Sequence, residues 1–423
     1  MARLLLALIC AAASLAPAAA ADADTPQTVL ARIQVHIETL LSKSQPDLYR
    51  HHLRSVLALC QDEALRLPFA GADRDARAKE MLGYLTVIET GLNDDGGKPE
   101  TYLVDGRRAL TMVRLSRADG TLQFYTLSLP PHWDPAKAYP LHVQLHGHGP
   151  DMPLAWINFT YLPHAEDEPP ADQVIGIGPW LRGNGQWRED NGSEPDVWEA
   201  IDDVKKIAKL DPDRWYISGH SWGGDDVWTI VQRTPDLWAA AGIMSGHFSG
   251  APKELGLVPN ARFVPFYIWL GDQDPIPDRK PALAYFRDAL TAVGNPPKIV
   301  VSPGVAHNPR AQDGAALQTW LLEHTRHRPS HFTFAIDTPA HRGIWGISIP
   351  RAFSAAYGNA DPRASFECWL EGATVRIETK DAKQLIVDFG PNGLNLSGTV
   401  TLEVNGKARF SGPVPAKALL LDL

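Results

Sequence analysis

The pattern of hydrophobic and polar residues divides the chain into three parts, and the first part is helical. Over residues 21–98, apolar side chains recur every three or four positions, which is the spacing of one buried helix face. Thr25 followed by Pro26 is typical of a helix start, because threonine caps the first amides and proline suits the first turn. Two more helices are predicted near Leu48–Leu67 and Arg77–Leu92. We expect a small helical region that contains no catalytic residue.

The second part, residues 99–328, alternates between strand and helix patterns after a predicted hairpin of Leu110–Leu115 and Leu122–Leu129. The predicted strands are Leu141–Leu145, Val174–Ile177, Arg214–Ser218, Ala241–Met244, Val264–Leu270 and Lys298–Ser302. The predicted helices are Asp196–Ala208, Trp222–Arg233, Lys280–Val293 and Ala315–His324. Such alternation predicts an α/β fold, in which helices cover both faces of a mostly parallel sheet.

The third part, residues 329–423, contains short segments of period two and no convincing helix. The predicted strands are Phe332–Ile336, Ala364–Leu370, Thr374–Thr379, Gln384–Phe389 and Thr399–Val404. Asn405-Gly406 is the pair that favours a type I′ hairpin turn, because both residues tolerate positive φ. We therefore predict an antiparallel β module at the C-terminal end of the chain.

The first twenty residues have the pattern of a signal peptide. Arg3 precedes an apolar run over Leu4–Leu15, and Ala18-Ala19-Ala20 supplies the small residues that a signal peptidase requires. The run is too short for a membrane-spanning helix, and no later segment approaches eighteen apolar residues. We expect export to the periplasm or the extracellular space, and no membrane span.

Length and charge narrow the classes of function. A chain of 423 residues exceeds the usual size of one domain, and its net charge is −9 without any basic block. A nucleic-acid partner is therefore not expected. The two cysteines beyond the signal peptide, Cys60 and Cys368, both stand among apolar residues, and we expect two separate thiols rather than a disulfide.

One pentapeptide indicates a catalytic nucleophile. Gly219-His220-Ser221-Trp222-Gly223 has the form G-x-S-x-G and lies directly between a predicted strand and a predicted helix. A serine on that sharp turn needs glycine on both sides, because Cβ atoms there would clash with the strand and the helix. The turn lifts the hydroxyl group out of the sheet, and Ser221 is therefore the predicted nucleophile.

A serine hydroxyl needs a base, and the base needs an acid that orients it. In the chain order Ser, acid, His, the candidates are Asp274 and His307, each of which follows a predicted strand. Asp272 remains the alternative acid. His247 also follows a strand, but it precedes both acids in the chain. We interpret His247 as a pocket residue that binds substrate or supports the structure.

The tetrahedral intermediate of acyl transfer carries an oxyanion, which backbone N–H groups must stabilise. The amide of Trp222 is one predicted donor, because it directly follows the nucleophile. The other is predicted from His146-Gly147-His148-Gly149, with His148 favoured over Gly149. A zinc site at this histidine pair is the alternative. Since no further ligands stand at suitable spacing, we expect no metal site.

Taken together, these segments resemble the alpha/beta-hydrolase esterases. The matching segments are Tyr139-Pro140-Leu141, His146-Gly147, the run from Asp211 to Gly219, Gly223-Gly224, Gly271-x-x-Asp274 and Gly304-x-x-His307. The most similar branch contains feruloyl and acetylxylan esterases, polyhydroxybutyrate depolymerase-like enzymes and prolyl oligopeptidase relatives. The resemblance spans about Leu110 to His324 and implies the fold, the triad and ester hydrolysis without a cofactor. A repeat-built propeller domain is missing, which disfavours a peptidase.

The substrate class rests on a group of tryptophans near the two motifs. They are Trp156, Trp180, Trp187, Trp198, Trp222 and Trp228. With Arg182 and Trp187 as predicted substrate-binding residues, flat rings and polar groups suit a carbohydrate-linked or aromatic ester better than a fatty acyl ester. The alternative is that half or more of these rings pack helices. Two other hypotheses are a prolyl oligopeptidase-like peptidase and an inactive carbohydrate-binding relative.

Overall fold

The computed structural model of the protein describes residues 24–66, 74–94, 98–103, 109–147, 174–183, 193–248, 256–338, 340–352 and 364–423. The predicted oxyanion residue His148 and the predicted substrate-binding residue Trp187 lie outside these ranges, as does the predicted signal peptide over residues 1–20. Within the described ranges, no helix is long and apolar enough to cross a membrane.

The helical region begins as the sequence predicts. Helix α1 starts at Pro26, and the hydroxyl groups of Thr25 and Thr28 accept hydrogen bonds from each other's backbone amides in a capping box. The bounds of the four helices are α1 Pro26–Leu41, α2 Asp47–Arg66, α3 Arg74–Asp94 and α4 Glu100–Leu103. Their buried faces join the core of the neighbouring sheet, so this region is packed onto the α/β part and does not stand apart from it.

The described residues of the middle part form an eight-stranded sheet in the order β1-β2-β4-β3-β5-β6-β7-β8. The strands are β1 Leu110–Leu115, β2 Leu122–Ser128, β3 Ala138–Leu145, β4 Ile175–Pro179, β5 Lys209–His220, β6 Ala240–Met244, β7 Phe266–Gly271 and β8 Lys298–Ser302. Strand β2 runs antiparallel to both of its neighbours, and all the other pairs are parallel. The predicted α/β fold with a mostly parallel sheet is therefore confirmed.

Helices cover both faces of this sheet because side chains alternate along each strand. They are α5 Ser193–Ile207, α6 Trp222–Arg233, α7 Arg279–Ala292 and α8 Ala311–Leu322. Ile217, Ile243 and Ile268 point to one face and share a core with α6 and α7. The adjacent residues of the same three strands point to the other face, where they pack with Leu317 and Trp320 of α8.

The C-terminal part forms two sheets around a core of its own. Within the described residues the sheet orders are β10-β11-β14-β17 and β16-β15-β13-β12-β9. The strands are β9 His331–Ala335, β10 Gly343–Ile344, β11 Ile347–Ala352, β12 Ser365–Glu371, β13 Thr374–Lys380, β14 Ala382–Val387, β15 Thr399–Val404, β16 Lys407–Pro413 and β17 Leu419–Asp422. The predicted β module is confirmed, although β13 and β15 pair in parallel. Asn405 and Gly406 have φ values of 51° and 69° and form the predicted hairpin turn.

One buried side chain joins the module to the α/β part. Asn260 is 1% exposed, and its Nδ2 donates to the carbonyl oxygens of Ala335 at 2.8 Å and Gln232 at 2.9 Å. Its Oδ1 accepts the amide of Ala335 at 2.8 Å. The amide side chain thus pairs with the edge strand β9 as a neighbouring strand would. Arg233 and Asp337 form a salt bridge at 2.9 Å across the same junction.

Cys60 and Cys368 are both buried free thiols, each in a different hydrophobic core. This agrees with the expectation of two separate thiols. Burial raises the pKa of the Cys368 thiol to about 12, so this cysteine stays protonated and apolar.

Candidate active site

The predicted nucleophile lies on a strained turn between a strand and a helix. Strand β5 ends at His220 and α6 begins at Trp222, so Ser221 is the single connecting residue, with φ 55° and ψ −121°. A positive φ is unusual for a residue with a Cβ atom and often marks a functional site. The Ser221 amide donates to the carbonyl oxygen of Met244 at 2.8 Å, which ties the turn to β6.

Glycine is required beside this turn for the reason that the sequence suggests. A Cβ atom built on Gly219 would lie 2.1 Å from the carbonyl oxygen of Gly223, far inside van der Waals contact. One on Gly223 would lie 2.2 Å from the carbonyl oxygen of Leu145, at the end of β3. The first turn of α6 can therefore approach β3 and β5 only because both positions lack a side chain.

The predicted acid and base meet at the carboxyl ends of β7 and β8. Nδ1 of His307 lies 2.8 Å from Oδ2 of Asp274, whose side chain is fully buried, while that of His307 is 21% exposed. The Ile276 amide donates to the other carboxylate oxygen at 3.0 Å. Burial alone would raise the pKa of Asp274, but the hydrogen bonds from His307 and Ile276 outweigh it and hold the pKa below its usual value.

The alternative acid has a different partner. Oδ1 of Asp272 accepts the amide of Gly304 at 2.7 Å, and its own amide donates to the carbonyl oxygen of Ser302 at 3.1 Å. Asp272 therefore stabilises the turn after β8, whereas Asp274 contacts the imidazole. Of the two predicted acids, the geometry favours Asp274.

The last residue of β5, His220, directly precedes the nucleophile and contacts the proposed base. The rings of His220 and His307 lie with centroids 4.7 Å apart. Among the hydrogen bonds of the described residues, none joins the Ser221 hydroxyl to His307. Such bonds are often long in the absence of substrate and shorten in the reacting complex. The roles of the three residues stay predictions.

The segment after β3 runs against the nucleophile. A Cβ atom on Gly147 would lie 3.2 Å from Cβ of Ser221, so the backbone that continues to His148 passes beside the serine. Trp222 is the first residue of α6, where backbone amides lack helical acceptors. Both observations agree with the predicted oxyanion donors, which the described residues do not test.

The His146 side chain contacts the protein backbone on both sides of its ring. It is buried, and its ring nitrogens lie 2.7 Å from the carbonyl oxygen of Gly147 and 2.8 Å from that of Trp180. Both nitrogens are therefore engaged with the backbone. Among the described residues, no three or more metal-binding side chains stand close enough to hold an ion.

Arg182 is bonded to the β1–β2 hairpin. Its guanidinium contacts Asp119 at 2.6 Å, Thr121 at 3.0 Å and Ser116 at 3.0 Å, and the residue has a φ of 56°. These contacts account for the position of the Arg182 side chain without a ligand. Contact of Arg182 with substrate stays a prediction that its partners do not favour.

His247 lies in a charged group that the sequence analysis missed. Its amide donates to the carboxylate of Asp225, which also pairs with the buried Arg279 at 2.9 Å, and its Nε2 lies 3.6 Å from Asp278. Burial raises the pKa of Asp225 to about 6, although Arg279 acts in the opposite direction. The only sequence signal for this group is the position of Asp225, one helical turn after Ser221.

Several of the tryptophans near the motifs pack the interior. Trp228 contacts Phe248, Phe266 and Phe286, and Trp180 packs against Phe124. Trp198 lies against Trp238 and is half-buried. Trp222 follows the nucleophile directly, and Trp156 and Trp187 lie outside the described residues. The packing alternative therefore holds for three of the six rings.

No protein-family model matches the chain, and no curated protein matches it. Among solved structures it is similar to a thermostable esterase, with 21% identity, a TM-score of 0.41, and coverage of 52% of this chain and 64% of the esterase. It is also similar to S-formylglutathione hydrolase FrmB from Staphylococcus aureus, with 19% identity, a TM-score of 0.42, and coverage of 51% and 98%. A CE1 ferulic acid esterase from Anaeromyces mucronatus has 15% identity, a TM-score of 0.39, and coverage of 49% and 87%.

The strand order, with only β2 reversed and a G-x-S-x-G turn after β5, decides the classification. The chain has the alpha/beta-hydrolase fold. Sites of alpha/beta-hydrolases lie at the carboxyl ends of the strands, which is where Ser221, Asp274 and His307 lie after β5, β7 and β8.

Proposed function

We propose that the protein is a serine hydrolase that cleaves carboxylic esters through an acyl-enzyme. The observation that carries the proposal is the hydrogen bond between Asp274 and His307 beside the strained turn of Ser221. An imidazole held by a buried carboxylate and placed near a serine on a strand–helix turn is the arrangement that activates a hydroxyl nucleophile.

In the acylation half, Ser221 Oγ attacks the ester carbonyl carbon while His307 Nε2 takes its proton. Asp274 stabilises the imidazolium that forms. The oxyanion is held by the amide of Trp222 and by the segment that follows Gly147. The intermediate then collapses, and His307 returns the proton to the departing alcohol.

In the deacylation half, water attacks the acyl-enzyme while His307 accepts one of its protons. The second intermediate expels Ser221, which regains its proton, and the carboxylic acid leaves. Each step uses only side chains and water, so this reaction needs no cofactor. The proposed route is the same for any acyl group. The substrate must therefore be selected by the side chains that line the site.

For the substrate we propose a carbohydrate-linked or aromatic ester. Support comes from Trp222 next to the nucleophile and from Trp156 and Trp187 in the adjoining segments of the sequence. A signal peptide over residues 1–20 would deliver the enzyme to the periplasm or the medium, where polymeric esters are accessible.

The test is a substrate panel on purified protein without its signal peptide. We expect turnover of acetyl, butyryl or feruloyl esters, and no turnover of amides of proline-containing peptides. Ser221→Ala should lower the ester activity by about 10³-fold or more, because nucleophile and base act as a unit. A Ser221→Ala variant that keeps a tenth of the activity, or a protein that cleaves the peptides and not the esters, would contradict the proposal.

A further inference from the structure

His220 directly precedes the proposed nucleophile, but its side chain takes no part in the proposed reaction. It is buried, and its Nε2 donates to the backbone carbonyl oxygen of His307 at 2.9 Å. The two imidazole rings are in contact, with centroids 4.7 Å apart and planes inclined by 51°. His220 therefore touches both the backbone and the ring of the base.

The other side of the His220 ring faces the segment after β3. A Cβ atom built on Gly147 would lie 3.4 Å from Nδ1 of His220 and 3.2 Å from its carbonyl oxygen. The imidazole thus lies between Gly147 and the backbone of His307, with one ring nitrogen facing each.

The carbonyl oxygen of His307 needs an external donor because of where it lies. The structure describes the whole connection from residue 303 to residue 310, and this connection forms neither helix nor strand. The Ser245 hydroxyl group also donates to that carbonyl oxygen, at 3.2 Å. His220 is the nearer of the two donors, at 2.9 Å, and its ring also contacts the ring of the base.

The protonation state of His220 suits this task. Burial lowers the pKa of His220 to about 4, so the ring is neutral at pH 7. A neutral imidazole has one N–H, and Nε2 carries it because Nε2 faces a carbonyl oxygen. A neutral neighbour also adds no like charge beside His307 when that ring becomes an imidazolium during acylation.

We propose that His220 is a positioning residue that holds the backbone of His307, so that the imidazole bonded to Asp274 is also directed at Ser221. The inference rests on the proposed function, because it assumes that Ser221 and His307 react together. Asp274 fixes one ring nitrogen, and His220 fixes the residue to which the ring is attached. The two bonds together restrict the positions that the imidazole can take relative to Ser221.

The experiment compares His220→Leu with His220→Gln. Leucine removes the N–H, whereas the glutamine amide can place a donor near the position of Nε2. The first measurement is the rate at which a fluorophosphonate labels Ser221. In that reaction Ser221 Oγ displaces fluoride from phosphorus and His307 accepts the hydroxyl proton, so no particular ester is needed. The second measurement is the hydrogen–deuterium exchange of residues 303–310.

His324→Leu is the matched control. His324 also bonds a backbone carbonyl oxygen, that of Trp320 at 2.8 Å, and its ring also contacts an aromatic ring, with centroids 4.2 Å apart. It lies beside Ala239 and Pro265, which directly precede β6 and β7. His324 is therefore at the amino ends of the strands, whereas Ser221 lies at their carboxyl ends. The control removes the same kind of bond away from the site.

We expect His220→Leu to slow labelling by about 10- to 100-fold, because small displacements of a catalytic group have effects of that size. Exchange of residues 303–310 should rise, His220→Gln should recover most of the rate, and His324→Leu should change neither measurement. Labelling within twofold of wild type together with unchanged exchange in His220→Leu would overturn the inference. If wild-type protein is not labelled at all, the proposed function fails, and the exchange comparison alone decides whether His220 holds the segment.

Discussion

Asp272 and Asp274 show how much the chemistry depends on single residues, since both follow β7 and only one contacts the imidazole. Asp274 lies against His307 at 2.8 Å, and Asp272 accepts the amide of Gly304 at 2.7 Å. The side chains of residues two apart in an irregular turn need not face the same way, and here they serve different loops. An acid that orients the base should be far more sensitive to substitution than an acid that closes a turn.

We predict that Asp274→Asn lowers ester hydrolysis by about 10³- to 10⁴-fold, because an asparagine can neither select the productive tautomer of His307 nor stabilise its positive charge. Asp272→Asn, which keeps an acceptor for Gly304, should lower it by less than about threefold. The measurement is kcat/KM on the best ester of the panel. If the two variants exchange these effects, Asp272 is the acid.

A second residue-scale prediction concerns stability and pH. His142 is buried in β3, its Nε2 lies 2.8 Å from the Ser218 hydroxyl group, and burial lowers its pKa to about 4. The unfolded chain therefore binds a proton here below about pH 6.5 that the folded protein does not bind until about pH 4. Stability must fall as the pH falls through this window.

His142→Gln removes this proton linkage and keeps a donor for Ser218. Relative to the variant, wild type should lose about 2 kcal/mol of unfolding free energy between pH 7.5 and pH 5. Urea unfolding of both proteins at the two pH values measures the difference. The comparison cancels contributions that both proteins share, such as that of Asp196, whose pKa burial raises to about 6 despite Arg114. Equal pH dependence of the two proteins would show that His142 is not held neutral.

At the scale of elements, the ends of neighbouring strands approach so closely that the site is built from backbone as much as from side chains. A Cβ atom on Gly271, at the end of β7, would lie 2.2 Å from the carbonyl oxygen of Ala306. The absence of that atom lets the turn that carries Asp274 meet the segment that carries His307. The same principle applies at Gly223, where α6 meets β3.

The pairing of Asn260 with β9 yields a prediction at this scale. Asn260→Ala leaves the amide and carbonyl of Ala335 and the carbonyl of Gln232 without their partners, which should cost about 3 kcal/mol or more of unfolding free energy. Since these bonds join two hydrophobic cores, we also expect that in Asn260→Ala the β module unfolds separately from the α/β part. Calorimetry should then show two transitions.

Asn295→Ala is the control for this prediction. Asn295 donates to the carbonyl oxygens of Ala261 and Val264, and both of these residues lie within the α/β part. Asn295→Ala should lower the free energy of unfolding, but calorimetry should still show a single transition. If Asn260→Ala shows a single transition, and its midpoint temperature falls no more than that of Asn295→Ala, the bonds of Asn260 do not couple the module to the α/β part.

In the whole molecule, the N-terminal helical region and the C-terminal β module are attached to the α/β part in two different ways. The N-terminal helices share its hydrophobic core, whereas the β module has a core of its own, against which Phe263 of the α/β part packs. Polar contacts also cross the junction, among them the salt bridge of Arg233 with Asp337 and the contact of His341 with Glu194. Glu194 lies in the first turn of α5, so the module contacts the helix that follows the segment containing Trp187.

The features that could be predicted from the sequence are those that depend on neighbours along the chain. Alternation of apolar residues indicates the strands and helices of the middle part, Thr25-Pro26 the start of α1, and Asn405-Gly406 the hairpin turn, because each signal acts within a few residues. The need for Gly219 is equally local, since its Cβ would clash with Gly223, whereas Gly223 is required by its contact with β3. The chain order of Ser221, Asp274 and His307 followed from the resemblance to alpha/beta-hydrolases.

Which side chains meet across the chain depends on how the elements pack and could not be predicted from the sequence. The packing directed Asp274 and not Asp272 to His307, bonded Arg182 to a hairpin more than sixty residues away, and placed Trp228 in an aromatic cluster. It also brought the Nε2 of His220 to the backbone of a residue 87 positions later. Periodicity reports which face of an element is buried, but the partner on that face is set by how the elements pack, and packing depends on contacts that no local pattern contains.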